Sequence, residues 1–439
     1  MEALVLLAIL FGLIFLRMPV PFAMLTSAVA FILIQMWTGT QPIFAIAGLK
    51  VIPQRITPSL ESFPLLAIPL FVFAGNLLNV TGISDRIFAF AKALVAHIHG
   101  GLAHVNILAS IVFSGMSGVA TADAAGLGAI EIKAMTKAGY DRAFSAAVTA
   151  ASSIIGPVIP PSVIMVIYAV LSGESIAKLF LAGIVPGLFL GFVLMALIYG
   201  LSVTGRVHSP RAPKASFRDV TCAAWRALPG LMAPILLVAG LLTGVATPTE
   251  LGAIVTVYAI LLGVLTRELT IENFIGALRT TVFTIGALVF ILGCAAPISW
   301  IISVLNVPQA LQNGLLSVSD NPIVLLLMIN LMLLVAGLFL ETTAILLIAV
   351  PTLLPLIKTI GMDPTQFGVM MIFNLLIGAI TPPFGVILFI MMDIAKLSYG
   401  ALVRAMLPFY LPIVITLIVI TLIPAITLFL PNLVANGLP

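Results

Sequence analysis

Long apolar segments, separated by short polar or proline-containing stretches, dominate the chain. A helix needs about 20 apolar residues to cross the hydrocarbon core of a membrane, and segments of that length recur throughout the sequence. The pattern predicts one span that ends near Trp37 and others at residues 3–16, 63–81, 177–203, 228–245, 249–266, 281–304 and 402–431. Charged segments are predicted to lie as arms at the membrane surface, at residues 40–57, 84–99 and 267–280.

Two apolar stretches are interrupted by small residues, hydroxyl residues and proline, and the interruptions match. Landmark residues recur at a constant offset of 222 residues: Gly115 as Gly337, Gly156 as Gly378, and Pro160 as Pro382. Each stretch predicts a hairpin of two half-length helices, at about 103–132 and 322–357, followed by a broken helix, at about 143–171 and 364–395. Paired interruptions in the two halves of a membrane protein indicate the binding site of a transporter.

The distribution of Lys and Arg predicts how the two halves lie in the membrane. Cytoplasmic loops are enriched in these residues, which places the basic loops 133–142 and 204–227 inside. Counting spans from there gives opposite orientations to residues 1–203 and 228–432. The sequence therefore predicts an all-α polytopic membrane protein, built as an inverted repeat with two re-entrant helical hairpins and two broken helices.

Composition narrows the class of protein further. Hydrophobic residues make up 62% of the 439 residues and charged residues 8%, against about 25% charged in soluble proteins. The sequence pI of about 9.2 reflects basic loops rather than nucleic-acid binding, the two cysteines indicate neither a disulfide nor a metal site, and the N-terminus carries no sign of a removable signal peptide. Because a phosphate-binding G-x-x-x-x-G-K-[ST] loop is missing, an ion gradient or another subunit must supply the energy for transport.

The interruptions supply oxygen atoms suited to a cation. Helix ends leave carbonyl groups unpaired, with a partial negative charge, and hydroxyl side chains stand beside them in both copies. The candidate Na⁺ ligands of the first copy are the hydroxyls of Ser114, Ser117 and Thr121 and the carbonyls of Gly156, Pro157 and Val158. Those of the second copy are Gly337, Thr342, Thr343, Gly378 and Thr381.

The same interruptions supply helix starts suited to an anion. Proline cannot continue a helix, and the start of the next half-helix is a candidate site for a substrate carboxylate. The substrate-site candidates there are Pro160, Pro161, Ser162, Pro382 and Pro383. Asp123 and Glu341, beside the two tips, bind substrate, cation or proton, or they cap helices; the sequence leaves both readings open.

Four stretches resemble the large membrane subunit of tripartite ATP-independent periplasmic (TRAP) transporters. They are FPLLAIPLFVFAG at 63–75, SGMSGVATADAAG at 114–126, GPVIPPS at 156–162 and GVATPTE at 244–250. The resemblance runs essentially end to end. It implies an elevator mechanism, coupling to two or more Na⁺ ions with one cation site for each pair of hairpin and broken helix, and a location in the bacterial inner membrane.

The resemblance also implies partners. They are a small four-helix membrane subunit, expected as a separate chain because this chain starts directly with the large subunit, and a periplasmic binding protein that delivers organic acids. Dicarboxylates, sialic acid and other sugar acids all fit that class. The hairpins and broken helices are expected to move together with spans 63–81 and 281–304.

The sequence therefore predicts the large subunit of a Na⁺-coupled importer of organic anions. The first alternative is a stand-alone transporter or antiporter of the same superfamily that needs no binding protein. The second is a membrane scaffold or an intramembrane enzyme. A scaffold would not need matched interruptions, and a hydrolase would need a nucleophile with a base, whereas no histidine lies near either tip.

Overall fold

The computed structural model describes residues 2–210 and 213–435, apart from the side chain of Ser117, and its regular elements in those ranges are helices. The helices of the first half are α1 (Glu2–Phe15), α2 (Val20–Thr38), α3 (Pro42–Ala47), α4 (Val51–Leu60), α5 (Ala67–Val80), α6 (Ile83–Val95), α7 (Gly101–Ser117), α8 (Ala120–Lys137), α9 (Arg142–Ser153), α10 (Val163–Ser172) and α11 (Ile176–Val203). Those of the second half are α12 (Phe217–Thr243), α13 (Pro248–Leu265), α14 (Ile271–Val304), α15 (Val307–Val318), α16 (Pro322–Phe339), α17 (Thr342–Thr359), α18 (Pro364–Ala379), α19 (Val386–Ala395), α20 (Tyr399–Leu422) and α21 (Pro424–Ala435).

Helices long and apolar enough to cross a membrane confirm the predicted multi-pass membrane protein. Within the described ranges there are nine: α2, residues 63–80 with α5, α11, α12, α13, α14, α16, α17 and α20. The prediction of half-length helices in the second hairpin is therefore wrong, because α16 and α17 each have 18 residues. Large apolar side chains remain exposed along them, such as Phe192 at 70% and Leu265 at 79%. A surface of this kind is suited to lipid rather than to water.

Three predicted boundaries are wrong. The arm predicted at 267–280 is mostly the first part of α14, a helix of 34 residues, because apolar periodicity does not distinguish a surface arm from the start of a long span. The loop predicted at 204–227 ends at Ser216, where a reciprocal capping box between Ser216 and Asp219 starts α12. The last predicted span is two helices, since Pro424 starts α21.

The two broken helices begin in the same way and break at matching positions. Asp141 caps α9 by accepting a hydrogen bond from the Phe144 amide at 2.8 Å, and Asp363 caps α18 by accepting one from the Thr365 amide at 2.7 Å. The first break covers residues 154–162 and the second covers 380–385. Each contains a Pro-Pro peptide bond in the cis form.

Packing divides the helices into two groups. In one, α8 packs against α19, α9 packs against α19 and α20, α10 packs against α17, and α11 packs against α18, α20 and α21, so that both hairpins and both broken helices interlock. In the other, α14 packs against α2, α4 and α5, and α13 packs against α5 and α12. The groups meet where α5, α6 and α12 contact α7 and where α14 and α15 contact α17.

Candidate functional site

The first tip is the turn between α7 and α8. Gly118 has φ +65°, a left-handed conformation that glycine adopts without a steric penalty, and Val119 is extended. A side chain on Gly118 would collide with the carbonyl oxygen of Pro161. The first tip therefore lies directly on the first break.

Asp123 makes a second contact between the first tip and the first break. It lies in the first turn of α8 and is 3% exposed. Its carboxyl group stands so close to Gly156 that a Cβ there would collide with Oδ2. A carboxylate at a helix start is favoured by the helix dipole, and this one is placed against the interrupted backbone of the neighbouring helix.

The second tip, between α16 and α17, has different local chemistry. Leu340 is extended, and Glu341 caps α17. The Glu341 carboxylate accepts hydrogen bonds from the amides of Thr343 at 3.0 Å and Ala344 at 3.3 Å and from the Thr343 hydroxyl at 2.9 Å. Of the two readings of Glu341, the structure displays the helix cap.

The second tip also lies on its own break. A side chain on Gly378 would collide with the carbonyl group of Gly337, so the backbones of α16 and α18 touch at this point. Two of the hydroxyls of the second break and tip donate within their own segments, Thr381 to the Ile377 carbonyl at 2.6 Å and Thr343 to Glu341. Both keep lone pairs that can face a cation.

A cavity of about 430 Å³ joins the two tips to the second break. It is lined by residues 119–121 of the first tip, 337–342 of the second tip and 384–387 of the second break, together with Gly378. The starts of α8 and α19 both open into it, and neither begins with a capping side chain. Their amides leave the cavity wall with partial positive charge.

The first break does not reach this cavity. Residues 154–162 are all buried, and Ser162 caps α10 by accepting a hydrogen bond from the Met165 amide at 3.2 Å. The Val158 carbonyl lies against Gly183 of α11. Ser114 is also buried, and its hydroxyl donates to the Ile111 carbonyl at 2.5 Å.

The structure thus brings together some of the predicted residues and separates others. Those that line the cavity are Thr121, Gly337, Glu341, Thr342 and Gly378. The first break, with Gly156, Pro157, Val158, Pro160, Pro161 and Ser162, lies beneath the first tip. Thr343, Thr381, Pro382 and Pro383 belong to the second tip and break without lining the cavity, and the hydroxyl of Ser117 lies outside the described part of the structure.

Two tyrosines of α20 were missed by the sequence analysis. Tyr410 donates to the Ile380 carbonyl at 2.7 Å and Tyr399 donates to the Pro383 carbonyl at 3.0 Å. Both carbonyls belong to the second break. A tyrosine in an apolar helix gives no sequence signal for the distant carbonyl that it meets.

The helices have a known membrane-protein fold. It is shared with a solved structure, that of the YdaH transporter of Alcanivorax borkumensis, with a TM-score of 0.61 over 89% of this chain and 90% of that one, at 16% identity. The sequence profile of the family described as "Tripartite ATP-independent periplasmic transporter, DctM component" matches residues 7–426. The chain belongs to this family, the large permease subunits of TRAP transporters.

Two curated relatives support the same family. The chain is 43% identical over 423 residues to the sialic acid TRAP transporter large permease protein SiaM of Vibrio cholerae, with 96% of each chain covered. It is 35% identical over 392 residues to the C4-dicarboxylate TRAP transporter large permease protein DctM of Pseudomonas aeruginosa, with 89% of this chain and 91% of that one covered. Both are permeases, so a transport role rather than an enzymatic one is confirmed.

Proposed function

We propose that this chain is the large transmembrane subunit of a Na⁺-coupled secondary importer of organic anions. The observation that carries the proposal is the single cavity where both hairpin tips meet a broken helix. Helix ends and helix starts converge there, which supplies partial charges of both signs in one place. Transporters with discontinuous helices bind their coupling ions and anionic substrates with such groups.

Each tip and its break form one proposed Na⁺ site. In the first half the candidate oxygen atoms are the Pro161 carbonyl and the Asp123 carboxylate at the contact, with the hydroxyl of Thr121 in the cavity beside the tip. In the second half they are the Gly337 carbonyl and the hydroxyls of Thr343 and Thr381. The carbonyl proposed from the sequence at Val158 gives way to that of Pro161, because the former lies against α11.

The substrate carboxylate is proposed to bind at the starts of α8 and α19. Glu341 already occupies the amides at the start of α17 with its own carboxylate, whereas the first residues of α8 and α19 receive no side-chain cap from Val119 or Gly385. Two helix starts facing one cavity suit an acid with a second polar group. Sialic acid and C4-dicarboxylates, the substrates in the names of the two relatives, both meet that description.

An elevator movement fits the division of the helices into two groups. The group of α7–α11 and α16–α21 carries both tips and both breaks, and we propose that it moves against the group of α1–α6 and α12–α15. The placement of spans 63–81 and 281–304 in the moving part is revised. Both pack mainly within the second group, α5 against α13 and α14, and α14 against α2 and α4.

The partners and the location follow from the family. We propose a separate small membrane subunit and a periplasmic binding protein that delivers the acid, with the complex in the bacterial inner membrane. The description of the family as one component of a tripartite periplasmic transporter supports this assembly. It also favours the importer over the stand-alone transporter.

The experiment is uptake into proteoliposomes that contain this chain and the small subunit. The binding protein of the same operon is added outside, preloaded with labelled sialic acid or succinate, with an inward Na⁺ gradient or with K⁺ in its place. We expect uptake that needs both the binding protein and Na⁺. Uptake without the binding protein would instead identify a stand-alone transporter, and Na⁺-independent uptake would remove the proposed coupling ion.

Variants of the two tips test where the cations bind. We expect Thr121→Ala and Thr343→Ala to raise the Na⁺ concentration needed for half-maximal uptake. Thr280→Ala is the matched control, because this exposed threonine of α14 donates only to a carbonyl of its own helix at 3.0 Å. If both tip variants keep the Na⁺ dependence of the control, the cation sites lie elsewhere.

A further inference from the structure

A second cavity, of about 610 Å³, lies between the two groups of helices. Its walls come from α4 and α14 on one side and from α10 and α17 on the other. Small-molecule sites typically have volumes of about 300–1,000 Å³. The cavity is therefore large enough for an organic acid.

Arg55 is the charged residue among those that line this cavity. Its guanidinium lies 5.6 Å from the centroid of the Trp300 ring, and within the described residues no carboxylate is in ion-pair distance of it. An arginine presents a planar fork of donors that matches a carboxylate. Arg55 is exposed, and a guanidinium that makes no ion pair beside a cavity is suited to bind an anion.

Aromatic packing holds the Trp300 ring in place. Phe44 meets Trp300 edge to face at a centroid distance of 5.4 Å, and Phe31 meets Phe44 in the same way at 5.4 Å. Phe31 and Phe44 are both fully buried. The ring beneath the Arg55 guanidinium is thus positioned before any ligand arrives, which lowers the entropy cost of binding.

Hydroxyl groups complete the polar lining. Ser59, Ser62, Ser299 and Ser303 all line the cavity. Ser299 donates to the Leu347 carbonyl of α17 at 3.0 Å, across the boundary between the two helix groups. The Ser62 hydroxyl oxygen accepts no capping hydrogen bond from the short turn that it precedes, and its O–H can donate to a ligand.

The second cavity is close to the central one along two shared helices. Ile164 of α10 lines the central cavity, and Val170 of the same helix lines the second. At 1.5 Å per residue this separation is about 9 Å. On α17 the corresponding residues are Thr342 and Leu347, about 8 Å apart by the same measure.

We propose that this second cavity is an outer binding site that takes the carboxylate of the organic acid on Arg55 before the acid enters the central cavity. The inference rests on the proposed function, and on the predicted topology, which places the end of α14 at the outer face. Sugar acids fit the remaining lining. Their hydroxyls can form hydrogen bonds with the serines, and the apolar face of the sugar can stack on the Trp300 ring. A lipid phosphate offers the same oxyanion chemistry, so the test separates the two sources.

The direct test uses Trp300 as a reporter in the purified complex of this chain and the small subunit in lipid-free detergent. Trp37→Phe and Trp225→Phe leave Trp300 as the tryptophan of this chain, and both removed residues are mostly exposed. The tryptophans of the small subunit are also replaced, so that Trp300 is the fluorescent tryptophan of the complex. Free sialic acid, free succinate and phosphatidylglycerol are titrated separately while Trp300 emission is recorded.

We expect a saturable change with at least one of the two acids and a half-saturating concentration about tenfold higher in Arg55→Gln, the loss typical of a hydrogen bond to a charged group. Arg55→Lys should lie between. Arg279→Gln is the matched control, because this guanidinium also lies over an aromatic ring, Phe283, at 5.7 Å but at the other end of α14. Its half-saturating concentration should equal that of the parent.

Three results would overturn the proposal: no response of Trp300 to either acid, a response to phosphatidylglycerol alone, or equal half-saturation in Arg55→Gln and the parent. The titration needs no transport, so it fails independently of the proposed function. Normal Na⁺-driven uptake with a silent Trp300 removes only the outer site. A responsive Trp300 without Na⁺-driven uptake removes the importer and leaves a binding site.

A kinetic measurement checks the same site in the working transporter. We expect Arg55→Gln to raise the half-saturating concentration of loaded binding protein about tenfold and to leave the maximal rate within about twofold. A fall in maximal rate at unchanged half-saturation would mean that Arg55 acts on the movement rather than on capture. The cavity would then not be the outer site proposed here.

Discussion

The two broken helices share their landmarks but not their surroundings. The first break is buried throughout, and α11 closes on it through glycines, with Gly183 against the Val158 carbonyl and Gly187 against the Ile159 side chain. The second break is partly exposed, with Phe384 at 52%. Tyrosine hydroxyls of α20, rather than a glycine surface, reach its carbonyls.

Matching positions in the two breaks should therefore respond differently to substitution, although the motif itself is repeated. The helix packed on the first break offers Gly183, and 222 residues later the second half has Ala405. Backbone in direct contact with backbone leaves no room for an added methyl group, whereas a hydrogen bond from a side chain can be lost without displacing the helices. Added volume on the helix packed against the first break should therefore be harmful, whereas the helix packed against the second break should be sensitive to the loss of a side-chain hydrogen bond.

The largest expected effect is at the first tip, with Gly118→Ala. Alanine at φ +65° costs roughly 1–2 kcal/mol, and its Cβ collides with the Pro161 carbonyl, for which overpacking adds typically about 1–3 kcal/mol. Gly173→Ala is the control, because Gly173 has φ +77° with open space around it. Thermal unfolding in detergent should give Gly118→Ala the clearly lower midpoint, and equal midpoints would show that the tip yields without cost.

The next effect is on the contact between α11 and the first break, with Gly183→Ala. The added Cβ meets the Val158 carbonyl, and we expect a loss of about 1–3 kcal/mol in unfolding free energy. Gly200→Ala is the control in the same helix, because no atom lies within 4 Å of an added Cβ at that position. Alanine there should stabilise α11 by about 0.5–1 kcal/mol. A melting series in which both variants shift in the same direction would contradict the close packing of the first break.

A smaller effect is expected at the second break, with Tyr410→Phe. Loss of the hydrogen bond to the Ile380 carbonyl should cost about 1 kcal/mol. Tyr258→Phe loses a similar bond, to the Pro229 carbonyl at 2.5 Å, but within the other helix group. We expect similar losses of stability in the two variants and reduced uptake in Tyr410→Phe alone. Equal uptake in the two variants would show that the Tyr410 hydroxyl has no role in the transport site.

Much of the fold was predictable because the local composition of the sequence marks both features: apolar runs mark membrane spans, and Gly and Pro mark their interruptions. The hairpins and the broken helices lie where Gly118, Gly156 and Gly378 stand among apolar residues. The re-entrant and inverted arrangement relative to the membrane stays a prediction. The start of α14 was misplaced because its charged first turns resemble a surface arm.

The candidate site was less predictable because its partners are set by packing. The direction of the Val158 carbonyl depends on how closely α11 approaches, and the tyrosine contacts join α20 to a break some 16 to 30 residues earlier in the chain. The sequence left the Glu341 cap as one of two readings. The turn geometry at the second tip, where amides of α17 meet the carboxylate, displays the cap, and a binding role for Glu341 stays a prediction.

The smallest expected effect concerns the ion pair that joins the two halves. Lys178, at the start of α11, lies 3.1 Å from the Asp363 carboxylate at the start of α18. Burial raises the pKa of Asp363, but the hydrogen bonds from Lys178 and from the Thr365 and Gln366 amides, with the Lys178 charge, bring it below its ordinary value. Both side chains are about one-third exposed, so the pair should stabilise the fold by less than about 1 kcal/mol.

The sign of the pH dependence follows from that lowered pKa. The contribution of Asp363 is present above the ordinary aspartate pKa of about 4 and is lost as the pH falls through the lowered folded-state value. Lys178→Met should therefore unfold slightly more easily than the parent at pH 7, with the difference shrinking below pH 4. Lys396→Met, which breaks the exposed Lys396–Asp393 pair within one segment, should change the unfolding midpoint less, and a larger change there would mean that the link between the halves carries no special stability.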